Sequence, residues 1–221
     1  MSKQFREMIN DTLQHQGMRK RLVETIVEKG ISDQEVISAI GKIPRHLFME
    51  SGFVKFAYQD QAFPIGAGQT ISQPYTVAYQ TQLLKVKTND KILEVGTGSG
   101  YQAAVLLEMG AQVFTIERQR ELYVKVQQLL PSLGYHPRFF YGDGYKGLPT
   151  YGPFDGIIVT AGAPYIPQDL KEQLKPGARL VIPVDHNQHQ VMAVIERISE
   201  NEYDEQHYGN FAFVPLLKGT N

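Results

Sequence analysis

Residues Lys91–Gly100 read KILEVGTGSG, and no other stretch narrows the possible folds as much. A short apolar run (Ile92, Leu93, Val95) encloses one acid, Glu94, and then becomes Gly-x-Gly-x-Gly at Gly96, Gly98 and Gly100, with Ser99 inside the turn. A helical pattern follows at once in Tyr101, Ala104, Val105 and Glu108. Strand, glycine turn and helix is the unit with which an open α/β sheet brings its backbone against a nucleotide-like ligand. The dinucleotide form of this turn wants a glycine at position 101, where this chain has Tyr. That spacing counts against an NAD-dependent oxidoreductase. Glycine-rich loops also arise as plain turns, so the context has to carry part of the argument.

The spacing of Gly96, Gly98 and Gly100 behind an acidic strand resembles the first motif of Rossmann-like methyltransferases. The following segments fit a nucleoside pocket. Strand-like Ala111–Ile116 ends in Glu117, 21 residues after Gly96, where a carboxylate can accept hydrogen bonds from both ribose hydroxyls. Strand-like Arg138–Tyr141 runs into Gly142-Asp143-Gly144. Asp143 is placed to accept from an adenine amino group, and the flanking glycines, Gly144 included, let a base lie on backbone. The apolar run Phe154–Thr160 supplies a fourth strand end to close the pocket. The plainer alternative makes Glu117 a solvated acid at a helix start and Asp143 a turn residue.

A chain of 221 residues is long enough to bury a substantial core. Lys and Arg total 22 against 23 Asp and Glu, a net charge of −1, so no general basic field draws in nucleic acid. The absence of cysteine removes disulfides and thiolate metal sites and suits a cytoplasmic protein. The first residues, MSKQFREMINDTLQHQG, lack the apolar core of a signal peptide, and no run approaches membrane-spanning length.

Residues 3–50 read as helical. Phe5, Met8, Ile9 and Leu13 share one helical spacing, and Leu22, Val23, Ile26 and Val27 another, stopped by Gly30. Ser32-Asp-Gln-Glu35 reads as a capping box for a third helix, which Pro44 ends. Residues 51–76 are rich in Gly, Pro, Gln and aromatics with weak periodicity, and read as a long functional loop. Val77–Leu84 returns to helix. Beyond residue 160 the pattern predicts a helix at Pro167–Leu174, strands at Arg179–Val184 and Gln190–Ile198, and a last edge strand at Asn210–Leu217.

Within that loop, Gly68-Gln-Thr-Ile-Ser72-Gln-Pro74 sets the hydroxyls of Thr70 and Ser72 on one side of an extended stretch, with Ile71 opposite. Here the chain resembles the protein-L-isoaspartate O-methyltransferases (the L-isoaspartyl/D-aspartyl family). The likeness runs through IPRHLF, AYQDQAFPIGAGQTISQP, ILEVGTGSGYQ, GDG, PFDGIIVTA, LKPGARLVIPV and FVPLLKG. It implies an α/β, Rossmann-like class I S-adenosylmethionine-dependent methyltransferase with an N-terminal helical extension and C-terminal antiparallel strands. One domain over 1–221 is expected: extension 1–50, substrate loop 51–76, core 77–221. The resemblance implies S-adenosylmethionine as cofactor and isoaspartyl proteins and peptides as substrates, with neither nucleic acid nor membrane as partner, a monomer, and a cytoplasmic setting. It places Ser72 at the catalytic centre, Gln69, Thr70, Ile71 and Gln73 around the substrate, and Glu94, Gly96, Gly98, Ser99, Gly100, Glu117, Asp143 and Gly144 around the cofactor. No metal is expected.

The chemistry agrees with such modest equipment. A carboxylate is already ionised at pH 7, so its attack on a sulfonium methyl needs no general base. Ser72 is then a positioning donor, since no G-x-S-x-G elbow surrounds it. Its plainer reading is a turn hydroxyl before Pro74. His186-x-x-His189 has a metal-like spacing but sits in DHNQH, which reads as a polar hairpin. Aromatics at 53–63 come with the single cation Lys55, which favours a buried lid over a nucleic-acid stacking surface. Two departures stand out: Ala212 where bacterial members often have a basic residue, and Gly156 where many have Ala. The rivals are a same-fold methyltransferase acting on RNA or a small molecule, an NAD-dependent oxidoreductase, and a non-catalytic binding module.

Overall fold

The computed structural model describes residues 11–187 and 189–221. The expected helix at Phe5, Met8 and Ile9 lies outside them, and Leu13 opens α1 instead (Leu13–Glu28). Helix α2 (Gln34–Lys42) ends just before Ile43-Pro44, because proline disfavours helical backbone in the residue ahead of it. The capping box is not formed by Ser32. Asp33 caps α2, its Oδ1 accepting from Glu35 N at 3.0 Å and Val36 N at 3.3 Å. A carboxylate is the stronger acceptor at the positive end of a helix. The amides of Ser32 and Asp33 turn instead to Gln82 Oε1, at 2.8 and 2.9 Å.

Residues 51–76 hold more structure than the sequence suggests. A 3-10 turn (Ser51–Phe56) precedes a small hairpin of β1 (Phe63–Gly66) and β2 (Gln69–Ile71). Its turn uses left-handed backbone at Gly66, Ala67 and Gly68. Helix α3 (Pro74–Leu84) starts three residues before the expected Val77, with Pro74 in its first turn, where a missing N–H costs nothing.

The remaining chain alternates strand and helix: β3 (Lys91–Val95), α4 (Tyr101–Glu108), β4 (Gln112–Glu117), α5 (Arg120–Ser132), β5 (Arg138–Tyr141), β6 (Phe154–Val159), α6 (Gln168–Glu172) and β7 (Leu174–His186). Strands β8 (His189–Arg197) and β9 (Tyr203–Phe211) complete a seven-stranded sheet in the order β5-β4-β3-β6-β7-β8-β9. The first five in that order are parallel and the last two antiparallel. Both faces are covered, so β3 reads as nearly continuous apolar sequence. Ile92 packs on one face with Val113, Ile158 and Val181, and Leu93 and Val95 on the other with Phe114, Ile157 and Val159.

Three boundaries differ from the sequence reading. Helix α6 stops at Glu172 and β7 begins at Leu174, its first residues too polar to signal a strand. The edge strand is β9, not Asn210–Leu217. YDEQHYGNF is largely exposed and carries no apolar alternation. The apolar FVPLL segment leaves the sheet and folds back: Gly162 N donates to Val214 O at 2.8 Å, and Leu216 N to Gly162 O at 2.7 Å. His186 and His189 are register partners across the β7–β8 hairpin.

The extension is fastened from inside. Arg19 donates to both oxygens of Asp11, each at 3.0 Å, and to Tyr58 Oη and Gly41 O. The Asp11 side chain is fully buried and that of Arg19 is 5% exposed. Asp11→Ala should therefore lower stability by about 3–5 kcal/mol in urea unfolding, because it leaves a buried guanidinium without its counter-ion. A change below ~1 kcal/mol would show that the pair does not fasten this region.

Candidate active site

Parallel register builds the site. Val95 of β3 stands level with Ile116 of β4 and Val159 of β6. The three strands therefore deliver Gly96, Glu117 and Thr160 to one edge. The ladder continues one step further, with Gly96 N donating to Ile116 O at 2.9 Å and Thr160 N to Val95 O at 3.0 Å. This is the switch point of the sheet: α4 leads from β3 to β4 on one side, while β6 pairs on the other. A cavity opens there between the glycine turn, the Glu117–Gln119 corner, Gly144, Thr160-Ala161, Gln69–Ser72 and Val214–Leu217.

Two glycines are required by geometry. Gly96 has φ +96°, and a Cβ on it would lie 2.5 Å from Thr160 Oγ1. That hydroxyl donates to Gly96 O at 2.6 Å and locks the turn against β6. A Cβ on Gly144 would lie 2.5 Å from Val95 Cγ1.

Glu117 is no solvated helix-start acid. It is 4% exposed and lines the cavity. Its Oε2 accepts from Gly98 N at 2.9 Å and its Oε1 from Gln119 N at 2.8 Å. A carboxylate offers about four acceptor positions. Two remain for hydroxyls arriving from the cavity.

Glu94 lies beneath the cavity rather than on its wall. It is fully buried, and burial pushes its carboxyl up to about 8. Its Oε2 accepts from Thr115 Oγ1 at 2.5 Å, while Oε1 has no hydrogen bond of normal geometry. Thr97 Oγ1 lies 2.6 Å from Thr115 Oγ1 and shares a hydrogen bond with it. Thr97 does line the cavity, so Glu94 reaches it through two hydroxyls.

Asp143 also stands behind the wall. Its Oδ1 accepts from Tyr145 N and its Oδ2 from Gly219 N, both at 2.9 Å, which holds the turn that brings buried Gly144 to the cavity wall. Gly100, with φ +82°, shapes the turn from outside the lining.

On the other side, Gln69, Thr70, Ile71 and Ser72 line the cavity. Thr70 and Ser72 also line a second, open cleft of about 610 Å³, together with Thr160, Val214 and Gln73. Ser72 therefore stands at the junction of two spaces, with Ile71 buried behind it. Gln73 Nε2 donates to Asp60 Oδ2 at 3.0 Å.

Sequence reasoning missed Thr97, Gln119 and the Val214–Leu217 segment, and it missed Asp60, which carries no motif. One further cluster of metal-ligand type occurs among the described residues, Asp11, His15 and His46. Both oxygens of Asp11 are held there by Arg19.

The cavity suits a nucleoside cofactor bearing an amino acid. Glycine backbone admits close approach, Glu117 can take ribose hydroxyls, and Ile116 and Leu216 offer apolar surface to a purine. An open sheet with a G-x-G-x-G turn at its switch point and a buried carboxylate ending the next strand defines the Rossmann-like S-adenosylmethionine-dependent methyltransferases.

Comparison with known proteins narrows the class. Residues 17–221 match the family model for protein-L-isoaspartate(D-aspartate) O-methyltransferase. A protein-L-isoaspartate O-methyltransferase from Christiangramia forsetii is 58% identical over 214 residues, spanning 96% of this chain and 100% of its own. One from Flavobacterium johnsoniae has the same identity and coverage. A solved protein-L-isoaspartate O-methyltransferase superposes with a TM-score of 0.81 at 26% identity, over 89% of this chain and 65% of that one. A Plasmodium falciparum structure in complex with S-adenosyl-L-homocysteine shares the fold, with a TM-score of 0.78 at 24% identity over 90% of this chain and 98% of its own. The chain belongs to the protein-L-isoaspartate(D-aspartate) O-methyltransferase family.

Two measurements probe this site. Glu117→Ala should weaken S-adenosylmethionine binding by about 1.5–3 kcal/mol in calorimetry, the scale of a lost charged hydrogen-bond partner. Unchanged affinity in a folded variant would remove Glu117 from the site. Glu94→Gln should show the cost of the buried carboxyl. The folded chain holds this proton more tightly than the unfolded chain does, so the contribution of Glu94 is full below pH ~4.5 and is lost as pH rises through about 8. The variant should gain on the parent over that window, by on the order of a few kcal/mol. Parallel stability curves from pH 4 to 9 would contradict it.

Proposed function

We propose that this protein transfers a methyl group from S-adenosylmethionine to the free α-carboxylate of L-isoaspartyl residues in damaged proteins and peptides. The ester then favours closure to succinimide, which returns part of the damage to normal aspartate. Family membership supports the reaction. The observation that carries the site assignment is Ser72 and Thr70 lining both the cofactor cavity and the open cleft.

The cofactor supplies an electrophilic methyl group on a sulfonium centre. The residues around it need only hold, orient and desolvate. Ser72 and Thr70 offer hydroxyl donors to an incoming carboxylate at the point where the two spaces meet. A positioning role suits them because the attacking oxygen is already ionised. No histidine lines either space among the described residues, so a Ser72 nucleophile would lack a nearby imidazole base. Ile71, Val214 and Leu216 exclude water around the path, which favours a reaction that neutralises two opposite charges. The geometry of approach supplies much of the remainder.

Residues 1–221 work in this reading as one methyltransferase unit, monomeric and cytoplasmic. No helix among the described residues is long and apolar enough to cross a membrane. A same-fold enzyme acting on RNA is the weaker reading, because the cleft that would take the acceptor is lined by one cation, Lys29, among the described residues.

Ser72→Ala should keep cofactor affinity and lower kcat on an isoaspartyl peptide roughly 10- to 1000-fold, the span of one active-site donor. A wild-type rate in the variant would falsify the positioning role. Loss confined to KM would mean that Ser72 only holds substrate. Methylation of RNA, with none of isoaspartyl peptide by the parent enzyme, would overturn the functional reading.

A further inference from the structure

The acceptor cleft has one charged side chain among its described lining residues, and it comes from outside the methyltransferase core. Lys29 is the cap residue at the end of α1, where its own N–H donates to Thr25 O at 3.2 Å. Its side chain crosses to the loop before the hairpin, where Nζ meets Asp60 Oδ2 at 2.5 Å and lies 5.6 Å from the centre of the Tyr75 ring. Asp60 is nearly buried, its side chain 8% exposed, while that of Lys29 is 43% exposed.

Asp60 has more than one charge to answer. Its Oδ1 accepts from Tyr75 N at 2.8 Å, in the first turn of α3, and its Oδ2 accepts from Gln73 Nε2 at 3.0 Å as well as from Lys29. The positive end of an eleven-residue helix and a full ammonium therefore share one carboxylate. The balance left at the cleft is positive. An ammonium carries three donors, and Asp60 accounts for one of them in the structure. Lys29 and Gln73 bind the same oxygen, so the cation stands beside the residue that follows Ser72. Lys29 shares the lining of the cleft with Thr70 and Ser72, and successive residues of a peptide are 3.8 Å apart, so a side chain flanking the accepting residue is the group that such a cation would meet.

Resting on the isoaspartyl reading above, we propose that Lys29, held by Asp60, is a specificity-determining residue that favours acceptor peptides carrying an acidic side chain within two residues of the isoaspartate. Lys29 makes no contact with the reacting atoms in this account. Its contribution belongs in KM, is partly screened by solvent, and weakens with salt.

The test uses the full-length enzyme and isoaspartyl peptides that differ only in having Glu, Gln or Lys at one of the two flanking positions on either side. The parent should prefer Glu over Gln at one or more of these positions by about two- to fivefold in kcat/KM, an effect of the size expected for a half-exposed ion pair. The preference should lie in KM and shrink in 0.5 M salt. Lys29→Arg should retain it, Lys29→Gln abolish it, and Lys29→Glu turn it toward the Lys peptides. Thermal unfolding and cofactor titration of each variant separate loss of the charge from loss of the fold. Equal kcat/KM for Glu and Gln peptides in the parent, or a preference that survives Lys29→Gln, overturns the proposal while leaving the isoaspartyl reading standing. No transfer to any of the peptides overturns that reading and this proposal together.

Discussion

The level ending of β3, β4 and β6 is the constraint on which the rest depends. Parallel pairing puts Val95, Ile116 and Val159 on one line, so the next residues of three strands emerge at the same height. Only a glycine fits at 96, because Thr160 closes in from β6 and the backbone is left-handed. Glu117 then bridges from β4 to the amide of Gly98. A slip of one residue in either pairing would turn Glu117 or Thr160 to the opposite face of the sheet. Packing of Leu93, Val95, Ile157 and Val159 against the same layer specifies that register.

Elements outside the sheet complete the pocket and shape the open cleft beside it. Arg45 is fully buried, with Nε donating to Ala57 O at 3.0 Å and its guanidinium 4.8 Å from the Tyr101 ring centre. Burial lowers its pKa to about 10, which leaves it charged at neutral pH. The extension is thereby joined to the segment before the hairpin and to α4 behind the glycine turn. Asp60 joins the same segment to α3. The hairpin carrying Thr70 and leading to Ser72 is suspended between these two anchors. From the other side, Val214–Leu217 is pinned to Gly162. Ser72 and Val214 thus face the same two spaces from opposite ends of the chain.

How much of this was readable follows from how local each signal is. The strand–turn–helix at Lys91–Glu108 and the strand ends at Glu117, Tyr141 and Val159 are written in apolar runs and glycines, and the sheet places them nearly as expected. The hairpin at Phe63–Ile71 was not legible, since its strands are very short and rich in Gly, Pro and Gln. Strand β9 was hidden for the opposite reason: a polar strand on an open edge has no buried face to announce it. FVPLL misled because its apolar residues serve the pocket and the sheet's flank rather than a strand. The part of Asp60 came from hydrogen bonds to residues 13 and 15 positions away, which no pattern in the sequence encodes.

The central claim is that the cofactor cavity and the open cleft meet at Ser72 to methylate a misplaced α-carboxylate. The measurement closest to it is transfer of labelled methyl from S-adenosylmethionine to two peptides identical except that one holds L-isoaspartate and the other normal aspartate. The account predicts rapid labelling of the first, with release of S-adenosylhomocysteine in equal amount, and background labelling of the second. Equal labelling of both peptides, or of neither, would contradict it.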